Sequence, residues 1–237
     1  MIGRVENELL QRDWTTVSLK AIVTKLVDGS HNPPSKRESG VPMLSARNIL
    51  NSQIVFEEYR LISEEDFERE HMRTRISPGD VLLTIVGTIG RSAVVPTNAK
   101  RFALQRSVAV MTPAGVFPKY LMYQFQAPFL QRHFENHAQG TAQKGVYLKT
   151  LGQTPILVAP LGQQERIVAE IENWLASGSR AHTFAFGTIC DVLGFDPKAV
   201  RQAIKDWTRV ERRDPRYRRM HSGPGRHQIG LIERRRR

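Results

Sequence analysis

Tyr120–Ile171 reads YLMYQFQAPFLQRHFENHAQGTAQKGVYLKTLGQTPILVAPLGQQERIVAEI. Tyr120, Leu121, Tyr123, Leu130 and Phe134 recur at helical spacing, so residues 118–137 are helical, and Pro128 either begins a second helix or kinks the first. A loop follows at Gly140-Thr141-Ala142-Gln143-Lys144. Pro155-Ile156-Leu157-Val158 is a short apolar strand stopped by Pro160. The stretch closes on a polar helix that opens Gln163-Gln164-Glu165-Arg166-Ile167-Val168 and runs to Ala176.

Working toward the N-terminus, Phe102–Met111 reads as one strand with Gln105 and Arg106 near its middle. Val81–Val86, rich in branched residues, is a buried central strand delivered by the turn Ser77-Pro78-Gly79-Asp80. Gly87-Thr88-Ile89-Gly90-Arg91 turns the chain into a second strand at Ser92–Val95. Ser63 stands three residues before Asp66 and caps an acidic helix over residues 63–71 that packs on the sheet. Val41-Pro42-Met43-Leu44 is a short strand ending in Ser45-Ala46-Arg47-Asn48. Asp28-Gly29-Ser30-His31-Asn32-Pro33-Pro34 is loop chemistry. Trp14–Val27 gives a strand followed by a helix or turn, and residues 1–13 are polar and frayed.

Toward the C-terminus, Ser177-Gly178-Ser179 breaks the pattern. Residues 188–193 form a short helix, Gly194-Phe195 a turn, and Asp196-Pro197 starts a helix to Trp207 that carries Lys198, Arg201, Gln202 and Lys205 on its polar side. That layout is similar to a helix-turn-helix. Residues 209–237 are arginine-rich, and His227–Ile232 could supply one strand of a wing.

Charge is unevenly distributed over the 237 residues. Residues 1–177 carry 20 Lys/Arg against 17 Asp/Glu, and residues 178–237 carry 15 against 6. A basic tail on a nearly balanced domain points to a polyanionic partner. The single Cys190 excludes an internal disulfide and a cysteine-rich zinc site. No apolar run reaches the roughly 20 residues of a bilayer span, and no signal-peptide core opens the chain, so the expectation is a cytoplasmic protein.

Enzyme signatures are missing where they would be sought. No glycine-rich phosphate loop is present, and Asn32-Pro33-Pro34 is followed by Ser35 rather than the aromatic that stacks a flipped base. His133 and His137 have one metal-ligand spacing, but Glu135 is misplaced for a zinc-protease helix. Neither a metal nor another cofactor is expected.

From Trp14 to Leu175 the landmarks form an ordered set: Asp28-Gly29-Ser30-His31, Val41-Pro42-Met43-Leu44, Gly79-Asp80-Val81-Leu82-Leu83, Gly87-Thr88-Ile89-Gly90, Gln105, Gly140-Thr141-Ala142-Gln143, and Pro160-Leu161 before Gln164-Glu165-Arg166-Ile167-Val168. In that order they resemble the target recognition domain of a type I restriction-modification specificity subunit. The resemblance implies an α/β (α+β) fold with a curved mixed β-sheet and flanking helices. It also implies a non-catalytic reader of double-stranded DNA that recruits a methyltransferase subunit, a restriction subunit through it, and a second half-specificity subunit. Residues 14–161 would be the recognition domain, 162–177 a truncated spacer helix, and 178–237 the helix-turn-helix-like module. Family members carry two recognition domains separated by long helices. Here one domain precedes a helix of about 14 residues, roughly 21 Å at 1.5 Å per residue.

Base reading needs Arg, Lys, Asn, Gln or Ser on elements that enter a groove. The candidates are Ser30, His31, Asn32, Arg47, Asn48, Arg91, Gln105, Arg106, Thr141, Gln143 and Lys144, joined by Lys198, Arg201, Gln202 and Lys205. Ser30 and Asn32 could equally close a turn and Asn48 cap a strand, while Gly140 could simply end a helix. Ile167, Ile171 and Trp174 form an apolar stripe that would meet either a partner helix or the chain's own domain. A stand-alone helix-turn-helix regulator is the alternative function.

Overall fold

The computed structural model describes residues 13–140 and 143–176, the last three as backbone only. Strand β1 (Thr15–Ser18) and a 3-10 turn (Leu19–Ile22) lead into β2 (Val23–Asp28). Next come β3 (Val41–Leu44), a 3-10 turn (Ala46–Asn48), β4 (Ile49–Leu50), β5 (Gln53–Ile54) and β6 (Arg60–Ile62). Helix α1 (Glu64–Thr74) is followed by β7 (Val81–Thr84), β8 (Ser92–Val94), β9 (Ala103–Leu104) and β10 (Val108–Pro113). The remainder is α2 (Pro118–Gln126), α3 (Pro128–His137), α4 (Leu148–Gly152), β11 (Pro155–Val158) and α5 (Leu161–Ala176). Among the described residues no helix is long and apolar enough to cross a membrane.

The mixture of helices and small sheets is the expected α/β class. The main sheet is antiparallel, in the order β2-β10-β7-β8. A three-stranded sheet, β6-β3-β9, is mixed, with β3 parallel to β9. Two ribbons, β1-β11 and β4-β5, complete the set. Alternate side chains of the main sheet supply two cores. Val81, Leu83, Ala109 and Met111 join α2 and α3 on one face, and Leu82, Val108 and Val110 join Leu44 and Leu104 on the other. With both faces covered, these strands read as unbroken apolar runs rather than alternating ones.

Local expectations hold at several points. Ser63 caps α1, accepting from the Asp66 amide at 3.1 Å. Pro128 begins a new helix, because Ala127 before it is extended (ψ 141°) and stops α2. The run Phe102–Met111 is corrected: it is two strands in two sheets, broken by a turn in which the Val108 amide donates to the Gln105 carbonyl at 3.1 Å. Apolar residues flank that turn on both sides, which is why composition alone joins them.

Asp80, 1% exposed, ties three elements together. It receives Lys25 of β2 at 2.6 Å, the Thr112 hydroxyl of β10 at 2.5 Å and the Ser77 amide at 2.8 Å. Removing one partner of a buried, hydrogen-bonded pair strands the other in a poorly solvated place. Asp80→Ala is expected to lower unfolding stability by about 3 kcal/mol in urea with an unchanged m-value. A loss below about 1 kcal/mol would show that Lys25 re-solvates freely.

Gln124 and Tyr120 on α2 hold β11. Gln124 receives the Leu157 amide at 3.0 Å and donates to the Leu157 carbonyl at 2.7 Å, where the Tyr120 hydroxyl also donates at 3.0 Å. Burial pushes the Tyr120 phenol up to about 12. The folded chain therefore keeps this proton where the unfolded chain, titrating near 10, releases it. Stability is expected to fall between pH 10 and about 12. The slope in that window should be shallower in Tyr120→Phe, measured by denaturant unfolding at each pH.

Candidate nucleic-acid interface

Strand register gathers the loops. Asp28 pairs with Ala109, Thr84 with Val108, and Leu83 with Ser92, so β2 and β7 end where β10 and β8 begin. Residues 29–32, 85–91 and 105–107 consequently leave the main sheet along one rim. Ser107 knits the rim together: its hydroxyl accepts from the Ala46 amide at 3.0 Å and its carbonyl from the Ile85 amide at 2.9 Å. Farther along, the Val146 amide donates to the Ile85 carbonyl at 2.8 Å and the Gly87 amide to the Lys144 carbonyl at 3.1 Å. The loop carrying Gln143 and Lys144 thus lies beside the turn carrying Arg91.

The loop after β2 is held from below by α1. Asp28, 7% exposed, accepts from Arg73 and lies 2.7 Å from His31 Nε2. Arg73 also donates to the Gly29 carbonyl at 3.0 Å. Ser30 donates its hydroxyl to Glu70 at 2.9 Å. The His31 ring is exposed with one nitrogen held by Asp28, which leaves Nδ1 for a ligand. On the next loop, Gln131 of α3 donates to the Gly90 carbonyl at 3.0 Å, and the Arg91 amide donates to the Thr84 hydroxyl at 2.9 Å.

Several candidates are brought together. His31, Asn32, Arg47, Arg91, Arg106, Gln143 and Lys144 are exposed and Gln105 is half-buried. Gln105 and Arg106 meet the first loop directly, through a bridge to Ser30 and an Arg106 amide bond to the Ser30 carbonyl at 2.9 Å. Arg47 has an exposed ion pair with Glu58 at 3.3 Å, weak enough to yield to a phosphate. Lys25, Arg73 and Arg101 are paired with acids of their own domain. No ion pair engages Arg91, Arg106 or Lys144 among the described residues. Three cations on one rim therefore keep their full charge for a ligand.

Three candidates are corrected to scaffold roles. Asn48 is 1% exposed, with its amide donating to the Val55 and Glu57 carbonyls at 3.0 and 2.6 Å and accepting from the Ser45 amide at 3.0 Å. Ser30 is 3% exposed and faces Glu70. Ile167 is 6% exposed, on a helix that packs against α2 and is fastened there by Lys119 to Glu172 at 2.5 Å. Its side chain packs inside the domain, and Ile171 is half-buried. Thr141, the Trp174 side chain, and Lys198, Arg201, Gln202 and Lys205 lie outside the described residues. Sequence reasoning missed Ser107, Glu70, Arg73 and Gln131, since their roles depend on residues about 40 to 60 positions away.

His133 and His137 lie side by side with ring centroids 4.1 Å apart and planes tilted by 30°. Burial, then the neighbouring His137, lower the His133 pKa. No cluster of three or more His, Cys, Asp or Glu side chains accompanies them among the described residues.

Residues 11–177 match the family model described as type I restriction modification DNA specificity domain, and the chain belongs to that family. It is 25% identical over 173 residues to the type I restriction enzyme EcoBI specificity subunit of Escherichia coli, covering 71% of this chain and 36% of that one. Among solved structures, a chain from a type I R-M system assembly matches with TM-score 0.52 at 18% identity, over 86% of this chain and 50% of that one. The HsdS subunit of Thermoanaerobacter tengcongensis matches with TM-score 0.50 at 17% identity, over 81% and 49%. At those identities the structures support the fold. The chain spans about a third of its curated relative and about half of each solved one.

Scaffold and surface roles separate by stability. Asn48→Ala is expected to cost about 2 kcal/mol, because two carbonyls and an amide lose their partner. Arg106→Ala should stay within about 0.5 kcal/mol of the parent in the same denaturant titration.

Proposed function

We propose that this chain reads a short sequence in double-stranded DNA as a specificity component of a type I restriction-modification system. The observation that carries the reading is the rim itself, where Arg91, Arg106 and Lys144 stand exposed without an acidic partner among the described residues. Lysine and backbone amides would hold phosphates and set the register. Arginine, Gln105, Asn32 and His31 would meet base edges, where one bidentate contact discriminates by about 1 to 3 kcal/mol.

The chain itself would make and break no covalent bond. Its role would be to deliver a methyltransferase subunit, and through it a restriction subunit, to the chosen sequence in the cytoplasm. A second half-specificity subunit would supply the other half-site. Of the apolar stripe of α5, Ile167 packs inside the domain, which speaks against that residue as a partner contact.

Selection from a randomised duplex pool by the purified chain, with and without a type I methyltransferase subunit of the same source, tests this. A short asymmetric motif should emerge and sharpen with the methyltransferase. Arg106→Ala should relax preference at one position by about 1 to 3 kcal/mol. Lys144→Ala should weaken binding to all sequences alike and reduce the log-log salt slope by about 1. Sequence-blind binding by the parent chain would sink the proposal.

A further inference from the structure

The outer edge of β2 carries a second surface. Strand β2 is the terminal strand of the main sheet and pairs with β10 on one side only. Among the described residues no backbone hydrogen bond reaches its other side. An exposed edge is a template for another strand, and proteins ordinarily blunt or cover it. Here a groove of about 680 Å³ runs beside the edge, between β2 and α4.

The lining is asymmetric in a way that describes an occupant. Val23, Leu26 and Leu148 contribute apolar surface, Lys20 and Lys149 contribute charge, and no acidic residue lines the groove. Both lysines are exposed, and neither has an ion pair among the described residues. Gly152, at the end of α4, helps form the wall. Its φ lies outside the range that favours glycine, and an added Cβ would meet Leu26 Cδ2 and Lys20 Cβ at 3.5 and 3.6 Å, ordinary contact distances. Backbone geometry thus leaves this position open to alanine, whose methyl would pack against Leu26 and Lys20 in the groove wall and reshape it.

We propose that this groove docks an extended, acidic segment of a separate partner protein, which adds to the main sheet as a strand beside β2. Backbone amides and carbonyls of the segment would pair with the open edge. Alternate apolar side chains would enter the groove, and carboxylates would meet Lys20 and Lys149. The apolar lining disfavours nucleic-acid phosphate, which would have to shed water against Val23 and Leu26. Val23 pairs with Pro113, at the end of β10 remote from the rim, so a docked strand leaves Arg91 and Arg106 free. This inference stands apart from the reading of DNA at the rim.

Panning a phage-displayed random-peptide library on the purified full chain is the test, with a labelled synthetic copy of the enriched peptide for affinity. Enriched sequences should alternate β-branched or aromatic residues and carry Asp or Glu. The double variant Lys20→Glu/Lys149→Glu should weaken the peptide about tenfold or more. Gly152→Ala should weaken it without changing the thermal midpoint by more than a few degrees, and pool-selected DNA should bind both variants as it binds the parent. Failure to enrich acidic peptides, or peptide binding indifferent to both variants, overturns the proposal. So does a concentration-dependent dimer of the parent chain that the same variants abolish, since it would assign the edge to a second copy.

Discussion

The chain crosses from one sheet to another between Leu104 and Val108, and the close approach of Gly29 makes the crossing possible. A Cβ at Gly29 would overlap the Leu104 and Gln105 carbonyls. Without one, the Ser30 amide reaches the Leu104 carbonyl at 2.7 Å and the Arg106 amide reaches the Ser30 carbonyl at 2.9 Å. The three-stranded sheet therefore ends beside the loop that leaves the main sheet. Gln105, Arg106 and Ser107 are left as a polar turn on the rim, bracketed by Leu104 and Val108, which are buried in one core.

Rigidity at the rim follows from that junction and from what lies beneath it. Loops that read a ligand are most selective when the scaffold fixes them, because less conformational entropy is lost on binding. Here α1 supplies Arg73 and Glu70 beneath the first loop, α3 supplies Gln131 to the second, and the turn 105–107 joins the two through Arg106 to Ser30 and Ser107 to Ile85. Lys25 and Arg73 of the scaffold are paired with acids of the domain, while Arg91, Arg106 and Lys144 of the rim have no ion pair among the described residues. That division gives the rim a positive character although residues 1–177 carry nearly balanced charge.

Helix α5 joins the domain through its amide side chains. Gln164, fully buried, donates to the Ala159 carbonyl at 2.7 Å and receives the Phe117 amide at 2.9 Å. Gln163 receives the Trp14 indole at 2.6 Å. The glutamine pair that opens this helix in the sequence is therefore the fastening of the helix to α2 and to the approach of β1. Ile167, 6% exposed, is buried on the same helix.

Much of the architecture was legible in order and spacing. The Ser63 cap, the Pro128 restart, the Asp80 turn, the buried β7 and the position of β11 each follow from local rules of backbone and periodicity. So does the gathering of readout-type residues in loops. Family membership rested on the sequence of landmarks, whose order composition alone would not supply. Tertiary structure decided which loop residues face outward. Asn48 and Arg47 are neighbours with the same credentials, yet one is enclosed by three backbone partners and the other is exposed. It also decided that Phe102–Met111 is two strands and that Ile167 is interior. Local sequence specifies backbone preference and polarity within a few residues. Burial, hydrogen-bond partnership and sheet membership depend on how the chain closes in three dimensions, whether over 9 residues for Asn48 and Glu57 or over 40 or more for Arg73 beneath Gly29 and Ser107 beside Ala46.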